Sequence, residues 1–397
     1  MMQGPLEGIK VLDLSRVLAG PFCCMLLGDM GAEVVKVERT ERGDDVRIVG
    51  PWVGGESLYF LMMNRNKLGV TLNFRHPEGP SLLKSLVRQA DVLVENFRAG
   101  TMEKMGCGYE ELKKVNPRLI MASISGFGQD GPYKDYTCYD MIAQAMSGHM
   151  EMTGDPEGPP MTTGSFLIDY STALLALVGI MGALRAREHT GLGQRVDVAL
   201  FDTAASFLVT AIPEYLLFGA KTTRRGNRDR YCAPANLFRA KDGRWVFIAA
   251  ATDALFPRLL KVMGREEVLQ DPRFATNEAR MQHIEEGEAL LEAWVRPQTA
   301  DEVVAKVRGA GLPCAKVATI EEVVTDPQLK HRGMLVEMDH PAAGRVPMHG
   351  LNIHFSETPG KIRRPPPVLG QHNDEVYGRW LNLDASGVAR LKAEGVI

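Results

Sequence analysis

Between Gly158 and Leu184 the stretch GPPMTTGSFLIDYSTALLALVGIMGAL carries one charged residue, Asp169. A carboxylate in so apolar a segment is costly unless it is paired or used, because loss of water penalises its charged form. The spacing predicts a buried helix over 166–184, begun at Gly164 and Ser165, with Asp169 in its first turn. There the positive end of the helix dipole would keep the carboxylate ionised although poorly hydrated. Such a carboxylate is a nucleophile. Two plainer readings fit the same residues: an acidic residue that only caps its helix, or a membrane span. The span is barely long enough, is also polar at Ser171 and Thr172, and has no second run to accompany it.

A second group of residues has the chemistry of anion binding. Arg39, Arg75, the run Asn96-Phe97-Arg98 and, close by, Lys104 all follow apolar segments of strand length. The expected strands are 9–14, 34–38, 69–74, 91–95 and 119–125, with helices over 20–31, 78–89 and 109–115 between them. Apolar strands alternating with helices imply a parallel sheet covered on both faces, and ligands bind beyond the carboxyl ends of such strands. Each arginine alone also fits a solvated surface charge. At a shared edge they suit a phosphate-rich ligand, with Phe97 able to support a flat ring. Glu38 sits where a ribose-binding acid of a nicotinamide dinucleotide fold would. The first turn, SRVLAGPFCC, however, lacks G-x-G-x-x-G, so NAD is set aside.

The 397 residues are 45% hydrophobic and 24% charged with net charge -3, an ordinary soluble globular composition with no electrostatic footprint for nucleic acid or an anionic membrane. Cys23, Cys24, Cys107, Cys138, Cys232 and Cys314 lack C-x-x-C spacing, which points to reduced thiols in a cytoplasmic protein rather than disulfides or a metal cluster. The beginning enters a strand pattern at once, without a secretory signal. A large domain is expected over 1–200, completed by 331–397. A basic linker follows over 201–226, then a small α/β domain over 227–326. In that domain strands are expected at 245–249 and 313–317 and helices near 255–263, 284–294 and 300–309. Short strands at 334–338 and 351–353 and a tail helix from 384 follow.

Several blocks resemble one family. They are GPLEGIKVLDLSRVLAGPFCCMLLGDMGAEVVKVE at the start, GDDVR, SLYF, NRNK, VENFRAG, SISGFGQDGPY, TGLGQRVDVALFD and PPPVLGQHNDEV. Together, in order and over essentially the whole length, they resemble the class III coenzyme A transferases of the formyl-CoA, carnitine-CoA and succinyl-CoA:glutarate type. The resemblance implies a Rossmann-like large domain, a smaller α/β domain and an interlocked homodimer. It also implies that Asp169 is the nucleophile, and that Leu18, Ala19, Arg39, Leu72, Asn73, Phe74, Arg75, Asn96, Phe97, Arg98, Lys104, Thr137, Cys138, Tyr139 and Asp140 hold coenzyme A. Coenzyme A thioester is then a substrate, with no tightly bound cofactor or metal. A glycine run that shields the acyl intermediate in some transferases has no counterpart here.

The implied chemistry is attack of Asp169 on an acyl-CoA carbonyl, giving a mixed anhydride and then an aspartyl-CoA thioester, with CoA passed to a free acid. A rival within the fold is a 2-methylacyl-CoA racemase, whose histidine base would stand where this chain has Tyr139; His149 is out of register and His76 reads as a turn residue. A CoA-binding protein without turnover is the other rival. The blocks SRVLAGP, GDDVR and NRNK resemble the branch that pairs succinyl-CoA with glutarate-like acceptors, with Arg16 and Arg47 as candidates to hold a second carboxylate.

Overall fold

The computed structural model describes residues 4–397 and divides them into two compact units. The first contains the chain up to residue 149, residues 163–210 and residues 327–397. Its six parallel strands lie in the order Lys67–Thr71, Glu33–Glu38, Lys10–Asp13, Val92–Glu95, Ile120–Ser125 and Arg195–Ala199. Counted along the chain this is 3-2-1-4-5-6, the doubly wound order whose winding reverses between the first and fourth strands. Alternate strand residues go to opposite faces. Val11, Val34, Val92 and Ile120 pack under the helices Ala19–Asp29 and Leu167–Thr190. Leu12, Val35, Leu93 and Met121 pack under Gly79–Val87, Tyr109–Val115 and the late helices Asn373–Leu381 and Ala385–Ala393.

The helix Leu167–Thr190 is long and apolar enough to cross a membrane by length and composition. One side of it, including Ile168, Ala173, Ala176, Ile180 and Ala183, is nevertheless buried in the sheet's core. It runs six residues past the expected 184, through good helix formers, and stops at Gly191 in the left-handed conformation (φ 72°).

Other elements also differ from expectation. The third strand begins at Lys67 instead of 69, and Arg195–Ala199 adds a sixth. No strand forms at 351–353; the hairpin Leu335–His340 with Gly344–His349 is closed before it. The segment 201–226, expected as a linker, contains the helices Leu200–Ser206 and Ala211–Phe218, and residues 150–162 belong with the second unit.

The second unit holds residues 150–162 and 211–326. Its antiparallel sheet, Cys314–Lys316, Trp245–Ala249 and Ala235–Arg239, carries Val246 and Ile248 into a core with the helices Phe256–Met263, Ile284–Val295 and Ala300–Gly309. The strand Ala235–Arg239 was not expected from the sequence.

Charges buried inside the first unit are the least anticipated feature. Lys67 and Asp13, both without solvent exposure, pair at 2.7 Å, and Lys67 also donates to the Pro21 carbonyl and Asn64 Oδ1. Lys36 pairs with Asp44 at 2.9 Å, again with both side chains fully enclosed. Burial pushes the Asp13 carboxyl up, but Lys67 and Lys36 outweigh it and hold it below the ordinary carboxylate value. Removing one partner of such a pair leaves an uncompensated charge, whereas removing both need not. Lys67→Met is therefore expected to cost about 3–5 kcal/mol of unfolding free energy. Asp13→Leu added to it should restore most of that loss, as read from guanidinium unfolding curves of the two variants.

Candidate active site

The winding of the sheet reverses where the first and fourth strands end in register, Asp13 beside Val94. Two loops leave there, and Asn96 ties them together. Its Oδ1 accepts the Arg16 N–H at 2.8 Å and its Nδ2 donates to the Arg16 carbonyl at 2.6 Å. Beneath, Ser15 N–H donates to Asp13, Lys36 Nζ donates to the Ser15 carbonyl, and the Val17 N–H donates to Asp44. Val17 has φ 71°, a conformation that a β-branched residue adopts only when its surroundings impose it. Gly20 lets the next helix start against this loop, since a Cβ there would lie 2.2 Å from Ser15 Cβ.

Beyond these loops lies a cavity of about 330 Å³. Of the residues expected to hold coenzyme A, Leu18, Ala19, Asn96, Phe97, Arg98, Thr137, Cys138 and Tyr139 line it, and Asp169 lines it with them. A second cavity, of about 180 Å³, shares Arg16 and Phe97 with the first and is also lined by Arg39 and Phe74. A third, about 250 Å³, is lined by Arg39, Leu72, Asn73, Phe74 and Arg75. Shared walls thus connect Asp169 to Arg75 along the carboxyl edge of the sheet. The guanidinium of Arg39 is held by the Gly43 carbonyl and Asp45, while the side chains of Arg75 and Arg98 engage no partner among the described residues. Lys104 is exposed at the end of the short helix Thr101–Lys104 and lines none of the three.

Asp140 departs from expectation. It is fully buried, and its Oδ2 accepts the backbone N–H groups of Ile168 at 2.7 Å and Asp169 at 3.0 Å. The cap of the Asp169 helix is therefore Asp140, a residue of the preceding helix Asp140–Ser147. This also corrects the expected state of Asp169. Burial, and then the charge of Asp140, push its carboxyl up to about 7, so the helix end does not keep it at ordinary acidity. The same surroundings raise its neighbours. Burial and then Asp169 push the Cys138 thiol up to about 11 and the Tyr59 phenol upward. Tyr59 stacks on Phe166 at the start of the helix, with centroids 6.2 Å apart.

Glu38 cannot serve a ribose, because Arg47 grips it through Nε at 2.7 Å and Nη2 at 2.8 Å and the Asp44 N–H donates to it. For the same reason Arg47 is not available to a substrate carboxylate. It is also bonded to Glu56 and the Pro367 carbonyl, and its guanidinium lies 3.6 Å from the Phe60 ring centre. Arg16 does line the Asp169 cavity, pairs with Asp45 at 2.8 Å, and has a buried Nε without a hydrogen bond. Sequence reasoning missed Ser125, Gly126, Lys134 and Tyr136 of the same lining. The block SISGFGQDGPY contains Ser125 and Gly126 without singling them out, and Lys134 and Tyr136 lie just beyond it. Gly126 is required there, since a Cβ would come 2.3 Å from Cys138 Cβ. No histidine lines the cavity. His149 is partly buried elsewhere, and burial lowers its pKa.

Comparison with known proteins places the chain in a family. Residues 6–373 match the model of CoA-transferase family III. The succinyl-CoA–D-citramalate CoA-transferase of Chloroflexus aurantiacus is 40% identical over 394 residues, 99% of this chain and 98% of that one. The succinyl-CoA:glutarate CoA-transferase of Mus musculus is 38% identical over 99% of this chain and 90% of its own. A crystal structure of a CAIB/BAIF family protein from Brucella suis superposes with a TM-score of 0.83 at 38% identity, covering 95% of this chain and all of that one. On these matches, which span nearly the whole length, the chain belongs to the class III CoA-transferases.

Proposed function

We propose that this enzyme moves coenzyme A from succinyl-CoA to a short dicarboxylic acid, with Asp169 as the covalent nucleophile. The observation that carries the reading is the row of cavities with Asp169 at one end and the unpaired Arg75 at the other. An extended thioester with its acyl carbonyl at Asp169 would lay its phosphates along Arg98, Arg39 and Arg75. Asp169 attacks the acyl carbonyl and expels CoA thiolate, forming a mixed anhydride. The thiolate then attacks the aspartyl carbonyl and releases the donor acid. The acceptor carboxylate next displaces the thiolate from the aspartyl-CoA, and the thiolate attacks the acceptor's carbonyl, which frees Asp169. The Gly126 region stands where backbone donors could steady the developing oxyanions.

Two features support a dicarboxylate. Relatives named for succinyl-CoA are named also for citramalate, glutarate or malate. In this chain Arg16 is a cation on the lining of the Asp169 cavity, and a guanidinium fork suits a second carboxylate. The racemase reading loses ground, because the position of its base is held by the exposed Tyr139 and a tyrosine is a weak base at neutral pH.

We also propose a homodimer. The outer side of the helix Leu167–Thr190 leaves Leu174, Leu175, Val178 and Met181 exposed, and the helix Ala211–Phe218 buries none of its residues. Apolar faces of this extent mark partner surfaces.

Three outcomes are expected. Incubation with succinyl-CoA and hydroxylamine should mark the peptide containing Asp169 by mass spectrometry, and Asp169→Ala should take up no label; label elsewhere overturns the assignment. In exchange assays with succinyl-CoA, glutarate, malate, citramalate or itaconate should be used at least ten times more efficiently than acetate, formate or carnitine, a gap of about 1.4 kcal/mol. A preference for a monocarboxylate removes the dicarboxylate reading alone. Sedimentation should give a dimer for the wild type, and Val178→Lys should shift it toward monomer.

A further inference from the structure

An acidic residue in the first turn of a helix ordinarily bends back to cap it, because the first N–H groups lack partners in the helix. At the helix Leu167–Thr190 those groups are already taken. Leu167 N–H donates to the Ser165 carbonyl at 2.8 Å, Tyr170 N–H to the Phe166 carbonyl at 3.1 Å, and the two between them to Asp140. Asp140 is itself held. Gln144 Nε2 donates to its Oδ1 and to Thr163 Oγ1 at 3.1 Å, while Gln144 Oε1 accepts the Thr163 N–H at 3.0 Å. Thr163 Oγ1 then donates to the Ser165 carbonyl at 2.8 Å. Asp140, Gln144, Thr163 and Ser165 thus staple the beginning of one helix to the body of another.

We infer that Asp140 is a positioning residue: by taking the free amides of the helix Leu167–Thr190, it releases the Asp169 carboxyl from capping its own helix and leaves it facing the cavity. The inference rests on the reading of Asp169 as nucleophile. It has an electrostatic consequence, since a negative group fixed so close disfavours the ionised form of Asp169 and makes the carboxylate more basic once formed. The other groups around Asp169 are Tyr59, Tyr170 and Cys138, whose pKa values are pushed up by burial and by Asp169. The cations Arg16, Arg98 and Lys134 line the same cavity, as does the carboxylate of Asp45, which is paired with Arg16 and Arg39, and His149 interacts with Asp140. Asp140 is the charge that pushes the Asp169 carboxyl up, beside burial.

The test follows the Asp169 carboxyl by carbon-13 NMR in free enzyme labelled at aspartate, its signal assigned by loss in Asp169→Asn. The wild-type midpoint should lie at about 7. Asp140→Asn, of the same shape without the charge, should lower it by about one unit. The acid limb of kcat/KM for succinyl-CoA should move down with it. Asp140→Ala should lose at least tenfold in kcat with a smaller change in KM. Gln144→Leu, which keeps the Asp140 charge but cuts the staple, should slow kcat several-fold without lowering the midpoint. An unmoved midpoint in Asp140→Asn, or wild-type kcat in both Asp140→Ala and Gln144→Leu, overturns the inference. Full turnover by Asp169→Ala would instead overturn the nucleophile reading, whatever the NMR midpoint does.

Discussion

The pairing of Asp13 with Lys67 is the interaction on which the rest of the large unit depends. Asp13 ends the central strand and Lys67 begins the edge strand, so the contact spans the Glu33–Glu38 strand between them. Its surroundings leave no donor idle: Asp13 also accepts from Ser15, and the Lys67 ammonium finds the Pro21 carbonyl and Asn64. The adjacent Lys36–Asp44 pair extends the same logic to the Ser15 carbonyl and the Val17 amide. Two lysines thus replace the water that a loop at a sheet edge would otherwise need. The cost of dehydrating them is offset only in one arrangement of the 14–18 loop, which makes the cavity wall rigid.

That rigidity matters because the chemistry of this edge is divided between fixed and free groups. Arg47 and Glu38 spend their charges on each other, Asn96 spends its amide on Arg16, and Asp140 spends its carboxylate on a helix end. Arg75, Arg98 and Lys134 remain for solvent or ligand. Residues that look alike in sequence therefore divide into scaffold and contact, and hydrogen-bond geometry makes the division.

Much of this edge was legible in the residues. Strand-length apolar runs ending in Arg39, Arg75 and Asn96-Phe97-Arg98 pointed to the edge of the sheet where the three cavities lie, and a lone carboxylate in an apolar helix drew attention to Asp169, which lines one of them. Periodicity could not reveal Lys36 and Lys67 as core residues, because a charged residue in a strand pattern reads as exposed until its partner is known. The partners lie 8 and 54 residues away and meet only through the fold. Asp140 was marked for the right neighbourhood, but its task depends on a contact across 28 residues that spacing does not encode. The strand Arg195–Ala199 escaped notice because an edge position lets Arg195 and Asp197 sit among its valines without a burial cost.

The covering of the opposite edge has a consequence for how the chain is made. Lys67–Thr71 is an outer strand, and its free side is closed by residues that come late. Thr71 N–H donates to Asn373 Oδ1, Tyr377 Oη donates to the Thr71 carbonyl, and Asn73 N–H donates to the Val396 carbonyl. Thr71 and Asn373 are 302 positions apart. At ~5–20 residues per second, a ribosome needs about 15–60 s to span that distance. Throughout that interval the nascent sheet shows an uncovered β edge, the kind of surface that pairs with other chains. The outer edge of the sheet is therefore closed only once residues 373–396 have been made.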